Sequence, residues 1–257
     1  MATDFDVERL LRDGGLAHVE HHASLGSTND RARAIAQDLA VGETALVIAD
    51  VQTAGRGRGS NRWWTGSGSI ACTLLFDPAA RGILRQHFPL ISLATAVAIV
   101  DAVGAIVPPG PIGLHWPNDV FAADRKLAGI LVEVLPDGKH IVGIGLNVNN
   151  RPADAPEELR DRAVSLGALT GSTHARTDVL LGILARLWPN LATLAVDPTQ
   201  IARWADRACL QHDRTLTLQT GDRRIEGVCV GIADDGALLL RTDRGAEKFY
   251  SGVLIHA

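Results

Sequence analysis

Apolar residues recur at helical spacing over 5–12 and stop at Gly14-Gly15, which predicts a short amphipathic helix. Ser27-Thr28-Asn29-Asp30 reads as a capping box and predicts a helix to about residue 39. The unbroken apolar runs 45–51 and 69–76 predict buried strands. A long apolar helix is expected over 84–107, with Pro89 in its first turn or dividing it. Three more strands are expected at 112–116, 127–134 and 140–148, the last two joined as a hairpin by Asp137-Gly138. Helical spacing returns at 177–194 and 198–208. After Gln211 the pattern changes to short strands, 215–219, 224–232, 237–241 and 247–250, separated by Thr-Gly-Asp, Asp-Asp-Gly and Asp-Arg-Gly turns. A segment of that kind predicts a small barrel of SH3 type.

Composition narrows the classes. The chain has 257 residues, 46% hydrophobic and 21% charged, a globular balance that excludes a largely disordered chain. Its net charge of -4 leaves no basic field to hold a polyanion, so general nucleic-acid binding is not expected. Cys72, Cys209 and Cys229 fit no disulfide framework or paired metal motif and suit a reducing compartment. The N-terminal stretch is acidic without an apolar core, unlike a signal peptide. The apolar stretch 88–100 contains a proline and is shorter than the roughly 18 residues of a membrane span. A cytoplasmic protein with no membrane partner is expected. Lysine is scarce: only Lys126, Lys139 and Lys248 occur, and the other basic residues are arginines.

Three segments carry candidate chemistry. Gly55-Arg56-Gly57-Arg58-Gly59 follows a strand, with glycines that let backbone N–H groups face an anion and arginines that offer forked donors. It lacks the sixth-position glycine of a dinucleotide fingerprint and the Gly-Lys-Ser/Thr of a P-loop. The alternative is a solvated surface loop. In His115-Trp116-Pro117-Asn118-Asp119, the proline ends a strand and leaves Asn118 and Asp119 at its terminus. Such a pair can bind Mg²⁺, orient a nucleophile, accept its proton, or simply cap an Asx turn. Lys126 precedes an apolar strand, where it can hold a carboxylate and then an acyl phosphate, or remain a solvated lysine.

These segments together resemble the bacterial biotin–protein ligases. The resemblance rests on Gly-Ser-Thr-Asn (26–29), Gln-Thr-Ala-Gly-Arg-Gly-Arg-Gly (52–59), Trp-Pro-Asn-Asp (116–119), Arg-Lys-Leu-Ala-Gly-Ile-Leu-Val-Glu (125–133) and Gly-Ile-Gly-Leu-Asn-Val-Asn (143–149), in family order and spacing. It implies an α+β fold: a mixed central sheet flanked by helices, like class II aminoacyl-tRNA synthetases, over 1–210 (motif core 24–150), plus an SH3-like β-barrel at 211–257. It also implies ATP and biotin as substrates with Mg²⁺, a biotinyl-5′-AMP intermediate, and transfer to a lysine of a biotin carboxyl carrier domain of a biotin-dependent carboxylase.

By the same resemblance, Ser27, Thr28, Asn29 and Gln52 meet biotin's head, and Arg56, Gly57 and Arg58 order over biotin and the adenylate. Lys126 bridges carboxylate and phosphate, and Gly129 and Asn147 line the ligand. Trp63 is the candidate adenine stacker, and His115 and Asn118 belong to the nucleotide set. Lys126, Arg58 and Asp119 are the expected catalytic residues, and Asn118 and Asp119 the expected metal ligands. Some family members also bind DNA through an N-terminal domain, for which the approximately 23 residues before the first motif are too few; no DNA partner is expected, and a homodimer stays open.

The chain departs from the family's pattern at two places. His115 stands where a lysine is usual, so a fixed charge gives way to one that titrates near neutral pH, and adenylation is expected to weaken between about pH 6 and 8. Ser60-Asn61 stands where many members carry more charge. The competing readings are a lipoate–protein ligase, which shares fold and chemistry, and a biotin-binding sensor without catalysis.

Overall fold

The structure, a computed structural model, describes residues 5–255. Helix α1 (Val7–Asp13) is capped by Asp6, whose carboxylate accepts from the Arg9 N–H at 2.9 Å. It leads into strand β1 (His18–Leu25), helix α2 (Thr28–Ala34), and strands β2 (Thr44–Gln52) and β3 (Ile70–Phe76). Helix α3 (Leu90–Gly104) is followed by a meander of β4 (Ile112–His115), β5 (Asp119–Ala122), β6 (Arg125–Val134) and β7 (His140–Leu146). Two short helices, α4 (Glu157–Arg160) and α5 (Leu166–Thr170), precede α6 (Arg176–Val196) and α7 (Pro198–Ala208). Strands β8 (Thr215–Thr220), β9 (Arg223–Ile232), β10 (Leu238–Thr242), β11 (Gly245–Phe249) and β12 (Val253–Ile255) follow.

Seven strands form one mixed sheet in the order β1-β2-β3-β7-β6-β5-β4, parallel only between β1 and β2. Its central strands β3 and β7 are buried along their whole length, which is why they read as continuous apolar runs. Helix α3 lies between this sheet and α6, and its largely apolar sequence follows from burial on nearly every side. Helix α6 is long and apolar enough by composition to cross a membrane. Its buried residues Leu180, Ile183, Leu184, Leu187, Leu191 and Leu194 instead recur at three- and four-residue steps, one stripe turned to the core, and the Asn190 amide donates to the Ala94 carbonyl of α3 at 3.0 Å. At its start the buried Arg176 reaches Asp50 Oδ1 at 2.9 Å and the Ser69 carbonyl at 3.2 Å, tying the helix to the sheet.

The expected elements are present with instructive differences. Pro89 caps α3 rather than dividing it, and residues 85–87 form a separate 3-10 turn. Ser27 sits at the N-cap of α2, but its side chain makes no capping hydrogen bond, and the helix ends at Ala34 rather than near 39. Strands β1, β5 and β12 were not expected. β1 is a polar edge strand, its His18, His21 and His22 paired with Glu43, Asp50 and Glu20 at 2.9–3.0 Å. β5 and β12 span four and three residues, too short for a periodic pattern.

The C-terminal strands form a five-stranded antiparallel sheet, β11-β10-β9-β8-β12. It is seated on the first sheet by specific bonds. Leu210 N–H donates to the Leu114 carbonyl at 3.0 Å, Trp116 Nε1 donates to the Gly236 carbonyl at 3.1 Å, and Asp206 accepts from the Ile232 N–H at 2.7 Å.

One buried titratable group gives the fold a pH dependence. His140 in β7 is fully buried, its Nδ1 3.0 Å from the Gly138 carbonyl and its ring edge-on to Phe88 at 4.5 Å. Burial pushes its pKa below the ordinary value, and the bond to Gly138 offsets this only in part. The folded protein therefore keeps His140 neutral while the unfolded chain binds a proton below about pH 6.5. The resulting stability is present above that pH and is lost as pH falls through it. In urea titrations, the midpoint should drop between pH 7 and 5, and drop less in His140→Leu; parallel falls in both proteins would contradict the assignment.

Candidate active site

The C-terminal end of β2, the 53–64 loop, the Trp116–Asp119 turn and the faces of β6 and β7 enclose a cavity of about 930 Å³. Every expected site residue lines it except Asn147. Asn147 is buried instead, its Oδ1 accepting from Asn150 Nδ2 at 2.9 Å and its N–H donating to the Leu127 carbonyl at 3.0 Å. It braces the strand that carries Lys126 rather than facing the ligand space.

The floor is a row of small residues across three strands: Ala71, Gly145 and Gly129 stand in register with Asp119 and then His115 on the next two. Trp63 lies on this row, and a Cβ at Gly145 would fall inside its indole. A Cβ at Gly143, one pleat repeat away, would collide with the Asn29 amide. The glycines thus make room for two side chains that reach in from other segments.

One end of the cavity is neutral and hydrogen-bonded. Gln52 Oε1 accepts from the Thr28 N–H at 2.9 Å and lies 3.1 Å from its hydroxyl, and Gln52 Nε2 donates to Thr65 at 3.2 Å. The Thr73 hydroxyl is 2.7 Å from both Thr28 Oγ1 and Asn29 Oδ1. Ser27, Thr28 and Asn29 are all buried. Asn29 Nδ2 donates to Glu133 at 2.7 Å.

The 53–64 loop is not a loose solvated segment. Gly57 N–H donates to the Asn61 carbonyl at 2.8 Å and Trp63 N–H to the Gly55 carbonyl at 3.0 Å, so it folds as a small hairpin turning at Gly59, φ +62°. Arg56 pairs with Glu133 and, at 3.2 Å, with Asp30. Burial raises the Glu133 pKa, but hydrogen bonds from Asn29, Arg56 and Arg33 outweigh it and hold the carboxyl below its ordinary value. Arg58 reaches across the cavity to Asn118 Oδ1 at 3.0 Å and to the Gly252 carbonyl of the C-terminal sheet at 3.2 Å.

Lys126 faces Asp119 with Nζ 2.8 Å from Oδ2, and sits 5.8 Å from the centre of the Trp63 ring. Asp119 Oδ1 is buried without a hydrogen-bond partner. Asn118 is committed on both sides, since its Nδ2 donates to the Ile130 carbonyl at 2.7 Å while Oδ1 accepts from Arg58. The described residues contain no cluster of three or more His, Cys, Asp or Glu suited to a metal ion. Cys72 also lines the cavity, but burial pushes its thiol up to about 12, so no thiolate nucleophile is present there.

Three cations around a hydrogen-bonded polar pocket suit the joining of two anions by electrostatic stabilisation. Comparison with known proteins agrees. Residues 25–149 match the Biotin/lipoate A/B protein ligase family and residues 213–256 the Biotin protein ligase C terminal domain. The Mycobacterium tuberculosis protein named biotin–[acetyl-CoA-carboxylase] ligase is 32% identical over 97% of this chain and 95% of its own length.

The chain belongs to the biotin–protein ligase family.

It is an enzyme of the ligase class. The bifunctional ligase/repressor BirA of Bacillus subtilis is 34% identical over 91% of this chain and 72% of that protein. The biotin protein ligase of Aquifex aeolicus, solved in complex with biotin and ATP, superposes with a TM-score of 0.81 at 29% identity, covering 93% of this chain and 98% of that one. Within this biotin–protein ligase the sequence signals left out several cavity residues. Gly143 and Gly145 were legible only as part of a motif, and Gly252, Val253 and Leu254 carried no signal at all.

The contact between Gly145 and Trp63 is directly testable. Gly145→Ala should expel the indole from the floor and red-shift the emission that Trp63→Phe removes, with the other four of the five tryptophans unaffected. Unchanged Trp63 emission would show that the ring does not rest there.

Proposed function

We propose that the chain activates biotin with ATP to biotinyl-5′-AMP and transfers the biotinyl group to a specific lysine of a biotin carboxyl carrier domain. The observation that carries this reading is the placement of Lys126 and Arg58 in a cavity that also holds the buried Ser27, Thr28 and Asn29 and the hydrogen-bonded Gln52, with Arg56 beside Asn29 on the Glu133 carboxylate. The Ser27–Asn29 and Gln52 groups suit an uncharged ureido head, and the cations suit a carboxylate and phosphate brought into contact. In the first step a carboxylate oxygen attacks the α-phosphorus and pyrophosphate leaves. Lys126 lies where it can hold the carboxylate and then the phosphoryl oxygens as charge develops. Trp63 offers a π face for adenine, and Arg58 closes over the mixed anhydride to exclude water.

In the second step an acceptor amine attacks the acyl carbon and AMP departs with the bridging oxygen. Asp119, with one oxygen on Lys126 and the other unpartnered, is placed to take the amine's proton. The same unpartnered oxygen fits Mg²⁺, which accepts a single carboxylate and keeps water and phosphate as its other ligands, whereas Asn118 Oδ1 is already held by Arg58. When bound, the ion would neutralise the pyrophosphate leaving group. The match of residues 213–256 to the biotin ligase C-terminal domain supports biotin over lipoate, and the intact cation set supports a ligase over a sensor.

Purified protein with biotin, ATP, Mg²⁺ and a carrier domain should form biotinylated carrier. Lys126→Ala should lower pyrophosphate exchange by a factor of about 10²–10³. Exchange supported by lipoate and not biotin, or biotin binding without pyrophosphate release, would overturn the reading.

A further inference from the structure

Neither Thr73 nor Glu133 lines the active-site cavity, yet a chain of hydrogen bonds joins them behind Thr28 and Asn29. The direction of each bond follows from the groups themselves. Glu133, ion-paired with Arg33 and Arg56, only accepts, so the Asn29 atom 2.7 Å from it is the amide nitrogen. This turns Asn29 Oδ1 toward the Thr73 hydroxyl, 2.7 Å away in the buried strand β3. An amide oxygen has no proton, so Thr73 donates. Its single proton is then used, and the 2.7 Å contact between the Thr73 and Thr28 hydroxyls is made by the Thr28 proton. Gln52 Oε1, 3.1 Å from Thr28 Oγ1, accepts from the Thr28 N–H, and its amide is oriented by Nε2 donating to Thr65. Thr28 Oγ1 and Gln52 Oε1 therefore meet the cavity as adjacent acceptors with no proton between them.

We propose that Glu133 and Thr73 are positioning residues that fix the polarity of this chain, so that this end of the cavity offers acceptors and selects a ligand head carrying N–H donors. This selectivity rests on the biotin reading proposed above. A cyclic urea presents N–H groups to such a pair of oxygens, whereas a dithiolane ring has no donor and would leave both oxygens unpaired. Neither positioning residue needs to touch the ligand. Glu133 anchors the chain because a carboxylate has no proton to give. A side chain that could donate in its place would let the Asn29 amide turn over and reverse every proton behind it. The reversed chain puts the Thr28 proton on Gln52 Oε1, which consumes one of the acceptors the ligand head would use.

The test measures biotin-dependent pyrophosphate exchange by the full chain, with biotin and ATP titrated separately. Thr73→Val should raise the KM for biotin by about tenfold, with kcat and the KM for ATP within about twofold of wild type. Thr73→Ser, which keeps the hydroxyl, should restore the wild-type KM. Glu133→Gln should also raise the KM for biotin, and the double variant should raise it no further than the larger single change, because both break one chain. Should the valine variant not fold, Thr73→Cys, a weak donor of similar size, takes its place. An unchanged biotin KM in Thr73→Val, an equal loss in Thr73→Ser, or single effects that multiply overturn the proposal. Spectra of the ligand-free, ¹⁵N-labelled chain read the polarity independently: the Asn29 side-chain amide, identified by Asn29→Ser, should shift in both Glu133→Gln and Thr73→Val. Those shifts without biotin-dependent exchange in the wild type would overturn the ligase reading, and with it the selectivity, but not the chain; exchange without the shifts would overturn the chain.

Discussion

The site depends on side chains that are missing from the sheet. In the row from Ala71 through Gly145 and Gly129, three consecutive strands offer almost nothing above the backbone, and the next two positions are Asp119 and His115. A sheet normally fills such a face with its own apolar residues. Here the space is taken by Trp63, with Asn29 over Gly143 one pleat repeat away, delivered from a loop and a helix start that the sheet does not itself contain. The strands set the distances, while much of the chemistry arrives from segments outside the sheet. Gly129 and Gly145 face each other in register, and a Cβ at Gly145 would fall inside the indole while one at Gly129 would press on its edge at 3.2 Å.

Each cation in the cavity is held by a partner weaker than a phosphate would be. Lys126 rests on Asp119, Arg56 on Glu133 and Asp30, and Arg58 on an amide and a carbonyl. These pairings hold the side chains near their working positions, so little reorganisation remains when a polyanion enters. They also keep the positive charge balanced, consistent with a chain whose net charge of -4 shows no basic bias.

Much of this was legible from the residues, and the gaps have physical causes. Buried central strands and the apolar helix α3 announce themselves because burial on both faces leaves no room for polar residues. β1 did not, since an edge strand meets only one neighbour and its histidines find acids at the surface. The motif residues converged on one cavity apart from Asn147, whose amide does structural work one layer below. Lys126, one of only three lysines, was conspicuous by rarity. Thr73 had no such mark: a threonine within an apolar strand becomes meaningful only when Thr28 and Asn29 are seen beside it.

The bond from Arg58 to position 252 ends on a main-chain carbonyl, not on a side chain. Gly252 has φ +155°, and a Cβ there would press into Leu218. What this position must supply is therefore a shape rather than a functional group. A main-chain acceptor does not depend on which side chains the neighbouring strands carry, whereas a Cβ at 252 would have to displace Leu218.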